Sequence, residues 1–303
     1  RNARTMAGHA VRQLYLTSGM ADLYLETGEK ILLDALERQW NDMATHHLFI
    51  TGGVGSQHEG ESFGTSYDLP NEKCYCETCA QIANIMWNWR MLLITGESKY
   101  ADLIELIMFN GFISGVSVKG DKFFYENPLQ NRKTSEGSER RSGERQHWYR
   151  CACCPPNIMR TISSINQYFA TMTERGIQIH QFGEYSIKHR FKTFGQVILK
   201  SQTEYPWNGT VLINVLETPA EEWALSFRNP GWCVKLSITI NGQRLNSFTE
   251  RDGYIHIDRS WEKGDEISVA MHMPTSFIQG HPNIEAIRGC VAIKRGPMVY
   301  CIE

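Results

Sequence analysis

Six of the chain's nine cysteines fall into two short clusters, Cys74-Tyr75-Cys76-Glu77-Thr78-Cys79 and Cys151-Ala152-Cys153-Cys154-Pro155-Pro156-Asn157. Thiols packed this closely, at two places far apart in sequence, are expected to meet in one site. The chemistry open to them is metal ligation, disulfide formation or nucleophilic attack. Nine is an odd number, so complete pairing within the chain is impossible, and clustered thiols favour a metal over a disulfide framework. Glu77 and Cys79 stand at the entry to a predicted helix, where backbone N–H groups favour anions and lower a thiol's pKa. Cys153 and Cys154 also precede a predicted helix, whose first turn suits Pro155 and Pro156. Two such junctions can converge on one tetrahedral Zn²⁺, which takes sulfur and carboxylate oxygen readily. Two ligand sets are open. Cys76, Cys79, Cys151 and Cys154 have the ordinary spacing of a closed structural Cys₄ site. Glu77, Cys79, Cys153 and Cys154 would make a Cys₃Glu site, favoured by the adjacency of Cys153 and Cys154 and by the carboxylates that precede it.

Those carboxylates lie in Gly52-Gly53-Val54-Gly55-Ser56-Gln57-His58-Glu59-Gly60-Glu61-Ser62-Phe63, where Glu59 and Glu61 are candidate acids. An isolated glutamate on a polar loop is ordinarily just solvated; a catalytic role needs a partner, and a metal-bound thiolate is one. His9, in Gly8-His9-Ala10-Val11-Arg12, reads by itself as a cap or packed ring, and Tyr125 as a core residue.

The elements that must position these groups are legible in outline. Apolar residues at helical spacing predict helices over about 6–26 and 29–44, then 77–95, 99–111 and 157–171. Between the second and third lies a long polar loop, 51–76, of a length that is usually functional. Val116 to Tyr125 carries a hairpin signal around Gly120-Asp121. Residues 130–147, polar and without an apolar period, read as a mobile surface loop. From about Gly176 the chain reads as all β, with turns at Asn208-Gly209, Asn241-Gly242, Asp252-Gly253 and Gly264-Asp265 and clean alternation over 236–240 and 254–257, the pattern of a sandwich. The fold class is therefore α + β and multidomain: residues 1–174 form part of an (α/α)6 barrel, its C-terminal half, and 175–303 a β-sandwich. Five helices are too few to close such a barrel. The chain starts at Arg1 with no initiator methionine and stops inside a strand-like run, so it reads as a piece of a longer protein, and its compartment, cytoplasmic or periplasmic, is left open.

Composition is ordinary for a globular protein, 42% hydrophobic and 21% charged with a net charge of −2. A pI near 6.6 and the lack of a basic stripe exclude nucleic acid as a partner. No apolar run approaches the roughly 20 residues that span a bilayer. Trp207, Trp223, Trp232 and Trp261 could stack on a glycan, though core packing is the ordinary role; Asn208-Gly209-Thr210 reads as a turn, and Cys233, Cys290 and Cys301 read as single buried thiols.

Five segments in one order, Gly8-His9-Ala10-Val11-Arg12, Tyr67-Asp68-Leu69-Pro70-Asn71, Glu77-Thr78-Cys79-Ala80, Phe109-Asn110-Gly111 and Cys151-Ala152-Cys153-Cys154-Pro155, resemble the bacterial β-L-arabinofuranosidases of glycoside hydrolase family 127, a relative of family 146. The resemblance runs through both domains. It implies a retaining glycoside hydrolase that releases terminal β-L-arabinofuranose from plant-type glycans. It further implies a Zn²⁺ held by Glu77, Cys79, Cys153 and Cys154, with Cys153 as nucleophile, Glu61 as acid/base, and His9 and Tyr125 as sugar contacts. The partner it implies is an arabinose-containing oligosaccharide; a homodimeric assembly is left open. Cys74 and Cys76 depart from the family pattern. The alternative is a non-catalytic, structural-zinc carbohydrate-binding protein of the same architecture.

Overall fold

The computed structural model describes residues 3–130, 144–192 and 195–302. Its first part is helical: α1 (Ala10–Thr27), α2 (Lys30–Asp42), α3 (Thr78–Thr95), α4 (Ser98–Leu106) and α5 (Cys154–Ser164). Helix α3 is buried almost all round, from Thr78 through Leu92, and so forms the centre against which α1, α4 and α5 pack. Gly28 and Gly96 stop α1 and α3 in the left-handed conformation that glycine adopts without strain. Wider π turns extend α2 over Met43–His47 and α4 over Ile107–Phe112.

Several expected boundaries move. The last helix begins three residues early, at Cys154, because Pro155 and Pro156 sit inside its first turn and lack the N–H groups that a turn cannot satisfy anyway. It also ends early, tightening over Ile165–Tyr168 so that the first strand can start at Ala170. The expected hairpin over 116–125 is reduced to isolated bridges, Val116 with Phe123 and Phe123 with Gln146. Gln146 thus belongs to this structured corner; the core of the expected surface loop, 131–143, lies outside the described residues.

The remainder is β. A five-stranded sheet runs in the order β1 (Ala170–Met172), β2 (Gly176–Ile179), β6 (Trp223–Arg228), β10 (Tyr254–Arg259), β9 (Thr249–Arg251). It faces a six-stranded sheet in the order β3 (Tyr185–Phe191), β4 (Gly195–Thr203), β5 (Thr210–Glu217), β11 (Glu266–Met271), β7 (Leu236–Ile240), β8 (Gln243–Arg244). Alternate residues of both sheets, among them Ile177, Leu225, Phe227, Ile255, Val197, Val211, Ile213, Ile267 and Val269, share one buried core. The turns Asn241-Gly242 and Asp252-Gly253 have positive φ at both positions, as two-residue hairpins require. A third sheet, β12 (Thr275–Gln279), β13 (Val291–Arg295) and β14 (Met298–Tyr300), follows separately. Trp223 and Trp261 are sandwich core, whereas Trp207 is exposed. Cys290 and Cys301 are exposed and Cys233 is only half-buried, which corrects the expectation of three buried thiols: each stands at or beyond a strand end, where the sheet faces are open.

Helices and sandwich are joined by one buried charge network. Arg228, fully buried, meets the carboxylates of Asp102 and Glu105 on α4 and donates from Nε to the His180 carbonyl at 2.5 Å. Glu105 also accepts from the Tyr205 hydroxyl and, at 2.9 Å, from the Trp232 indole. The Phe109-Asn110-Gly111 segment adds a second tie: Asn110 donates to the Pro297 carbonyl at 2.9 Å and accepts from the Val299 N–H at 2.7 Å. Phe109 packs on the sandwich core, its ring 5.7 Å from that of Tyr205. A Cβ at Gly111 would lie 1.7 Å from Oε1 of the buried Gln81, whose side chain would have to shift. Arg228→Ala would leave the buried Glu105 carboxylate and the partly exposed Asp102 carboxylate without their cation and is expected to destabilise the protein by about 3 kcal/mol, read as a lower midpoint in urea unfolding.

Candidate active site

The two cysteine clusters meet at the N-terminal ends of α3 and α5. Glu77 precedes α3 in extended conformation, and its side chain makes no cap hydrogen bond, which leaves the carboxylate free to face the site. The Thr78 N–H donates to the Tyr125 carbonyl at 3.0 Å and the Thr78 hydroxyl to the Phe124 carbonyl at 2.9 Å, pinning the entry. Cys153 precedes α5 and Cys154 opens it; the Asn157 N–H returns to the Cys153 carbonyl at 3.0 Å. One ligand atom from each of Glu77, Cys79, Cys153 and Cys154 lies within 4.8 Å of all the others. Cys79 Sγ is 3.5 Å from Cys154 Sγ, and Cys153 Sγ is 3.7 Å from Cys154 Sγ. Glu77 Oε1 is 3.5 Å from Cys154 Sγ and 3.7 Å from Cys153 Sγ.

These spacings suit a metal. Four tetrahedral ligands at zinc–sulfur lengths of about 2.3 Å stand roughly 3.8 Å apart. The second carboxylate oxygen, Glu77 Oε2, is buried with no hydrogen-bond partner, an orphan that a cation would satisfy. Burial, then the Cys153 thiolate, then Glu61 push the Glu77 carboxyl up to about 8. Hydrogen bonds from Cys154, Cys79 and the Tyr125 hydroxyl hold the Cys153 thiol well below the usual range, while burial pushes Cys154 up. Cys153 is also the one member of the four that is not buried.

The ordinary CxxC set does not assemble. Among the described residues, the group that could hold a metal includes neither Cys76 nor Cys151. Cys76, at φ +40°, turns away into a small apolar cluster with Cys74, Phe49 and Leu69, against Gly53. Cys151 is exposed.

Tyr125 is buried, and its hydroxyl oxygen lies 3.1 Å from Cys153 Sγ, within hydrogen-bond reach. It is held by Tyr149, whose hydroxyl accepts from the Tyr125 N–H at 3.1 Å and donates to the Phe123 carbonyl at 2.8 Å. Glu61 sits on a tight turn, with Gly60 at φ +65° and Glu61 itself at φ +51°, a conformation that a non-glycine residue adopts at a cost. Its carboxylate oxygen is 3.0 Å from His9 Nε2, and His9 and Ser62 pair as a β-bridge. Asp68, from the Tyr67-Asp68-Leu69-Pro70-Asn71 segment, braces this loop by accepting from Gln57 and, at 3.3 Å, from Ser56. Residues 51–76 are thus a scaffolded loop rather than a slack one. Sequence reasoning missed Tyr149, Asn127 and Asn157. Asn127 donates to the Cys76 carbonyl at 2.9 Å and the Thr78 hydroxyl at 3.0 Å, and Asn157 is buried on α5 beside the thiols. Only the position of Asn157, one turn into α5 from Cys153, carried a signal.

A helical unit whose two helix entries bring a carboxylate and three thiols together, followed by a β-sandwich and a third sheet, defines a class of carbohydrate-active proteins. Residues 1–167 match the "Beta-L-arabinofuranosidase, GH127 catalytic domain", 176–273 the middle domain, and 275–303 the "Glycoside hydrolase family 127 C-terminal domain". The chain belongs to glycoside hydrolase family 127. It is 34% identical to the non-reducing end β-L-arabinofuranosidase of Bifidobacterium longum subsp. longum, over all of this chain and 47% of that protein. The crystal structure of Ara127N-Se, a GH127 β-L-arabinofuranosidase from Geobacillus stearothermophilus T6, superposes with a TM-score of 0.92 at 40% identity, covering 98% of this chain and 47% of that one. A solved GH127 β-arabinofuranosidase gives 0.90 at 35% identity, over 98% of this chain and 48% of that one. The chain spans about half the length of these relatives. No helix among the described residues is long and apolar enough to cross a membrane.

Glu77→Ala or Cys79→Ala is expected to abolish metal binding, and Cys76→Ala to leave it at about one ion per chain. Elemental analysis of purified protein checks this; loss of metal in Cys76→Ala would restore the CxxC ligand set.

Proposed function

We propose that the protein is a retaining β-L-arabinofuranosidase, with Cys153 as nucleophile and Glu61 as general acid and base, acting at the non-reducing end of arabinose-containing glycans. The observation that carries this reading is the setting of Cys153: a half-exposed thiol at the edge of an otherwise buried four-donor cluster, hydrogen-bonded to the Tyr125 hydroxyl at 3.1 Å. Family membership and the relatives' activity supply the sugar.

The Glu77, Cys79, Cys153 and Cys154 donor set is that of zinc, which when bound would supply the positive charge that keeps Cys153 deprotonated and makes it a competent leaving group. In the first step the Cys153 sulfur attacks the anomeric carbon as the glycosidic C–O bond breaks, and Glu61 gives its proton to the departing oxygen. In the second step the Glu61 carboxylate takes a proton from water, whose oxygen attacks the same carbon and releases the Cys153 thiolate. Two displacements on one carbon return the original configuration. Cys153 thus replaces the carboxylate nucleophile of ordinary retaining enzymes. His9 and Tyr125 hold furanose hydroxyls against the reacting carbon. The helical part supplies this chemistry, and the β structure that begins at Ala170 packs against it.

With p-nitrophenyl β-L-arabinofuranoside, Cys153→Ser is expected to lose activity by at least about 10³-fold, and Glu61→Gln to lose about 10²–10⁴-fold in steady-state turnover with its metal retained. Initial rates and metal content measured on the same preparations check both; full activity in Cys153→Ser would remove the nucleophile assignment.

A further inference from the structure

The segment Tyr125-Glu126-Asn127 touches three separate parts of the site. The Tyr125 hydroxyl is hydrogen-bonded to Cys153, and Asn127 donates to the Cys76 carbonyl and the Thr78 hydroxyl, on either side of Glu77. Between them, Glu126 faces the loop that carries Glu61. Its carboxylate, with only 4% of the side chain exposed, lies 3.4 Å from His58 Nδ1. The other ring nitrogen, His58 Nε2, is 3.1 Å from the Lys73 carbonyl oxygen. A carbonyl only accepts, so Nε2 carries a proton. Nδ1 then faces the Glu126 carboxyl, and the contact is attractive with a proton between them, whichever of the two groups carries it; Glu126 is buried and a third of the His58 side chain is exposed.

His58 is also the first residue of the turn that presents Glu61: its carbonyl accepts the Glu61 N–H at 3.2 Å. That turn holds Glu61 in a left-handed conformation, which a non-glycine residue adopts at an energetic cost. The Gln57–Ser62 bridge and the Ser62 hydroxyl on the Glu59 carbonyl restrain it within the loop. The His58 contacts to Glu126 and Lys73 restrain the turn against the rest of the site, and the Tyr75 ring packs edge-on at 5.3 Å against the imidazole.

We propose that the His58–Glu126 pair is a positioning device for Glu61, fixing the acid/base turn to the same short segment that holds the nucleophile. Resting on the proposed role of Glu61, it makes the separation of the two reacting groups a property of three consecutive residues. Neither His58 nor Glu126 touches the substrate; both act through the placement of the Glu61 carboxyl.

The test is kcat/KM in the intact protein on two β-L-arabinofuranosides, an aryl glycoside with an activated leaving group and an alkyl glycoside that needs protonation to depart. Glu61→Gln is the reference and must lose far more on the alkyl substrate. His58→Ala and Glu126→Ala are expected to follow it, losing about 10–100-fold on the alkyl glycoside while the aryl glycoside changes little, because a displacement near 1 Å costs up to about 10²-fold. Glu126→Gln, whose amide can donate to a neutral His58 Nδ1, is expected to recover most of the loss. Metal content stays unchanged throughout. Equal losses on the two substrates, or no loss, would overturn the positioning role. If Glu126→Ala does not fold, His58→Ala decides the matter, since a third of the His58 side chain is exposed. A Glu61→Gln reference without leaving-group dependence would instead remove the acid/base reading itself, and this inference with it.

Discussion

Three sulfurs and a carboxylate lie in mutual contact at the meeting point of two helix entries, and most of the helical unit exists to keep them there. Four such groups repel or compete for protons unless a cation joins them, and burial sharpens the conflict. The consequence is visible at Glu77, whose carboxyl is pushed up to about 8, and at its second oxygen, which has no partner. The fold tolerates this because each donor is fixed by backbone: Glu77 by the start of α3 and its ties to 124–125, Cys153 and Cys154 by a helix whose first turn contains two prolines. The central helix α3, buried on nearly every side, then gives Cys79 no freedom to withdraw.

A second constraint is the junction between the helical unit and the sandwich. Burying a guanidinium is costly unless it is fully paired, and Arg228 meets two carboxylates and a carbonyl. Glu105 is in turn shared with Tyr205 and Trp232, so one helix, α4, is locked to several strands and loops of the β structure. Through Asn110 the same helix reaches β14. The β part thus acts on the site indirectly, by fixing the position of α4 against the central helix.

Much of this was legible from residue types alone. The positions of the helices, the long loop at 51–76 and the onset of β structure near 176 followed from apolar spacing, and Asn-Gly and Asp-Gly marked hairpin turns that the backbone confirms at Asn241 and Asp252. Glu77, Cys79, Cys153 and Cys154 were nominated by spacing and by family resemblance, and the structure brings those four together. Spacing by itself favoured the other set, the one with Cys76 and Cys151 as ligands. What it could not register is that Cys76 takes a left-handed backbone and turns its thiol into the Phe49–Leu69 cluster. The bracing side chains were illegible for a different reason. Tyr149, Asn127 and Glu126 lie in stretches without periodicity, and their roles come from contacts across 24 to 68 residues of sequence, which no local pattern encodes.

The central claim is that Cys153 becomes covalently attached to the sugar. It is tested most directly by peptide mapping of Glu61→Gln protein mixed with an activated aryl β-L-arabinofuranoside, in which the first displacement proceeds and the second is starved of its base. The account predicts one pentosyl unit on the peptide that contains Cys153, and release of product with retained configuration. A pentosyl unit on a carboxylate-bearing peptide, or a first product of inverted configuration, would contradict it.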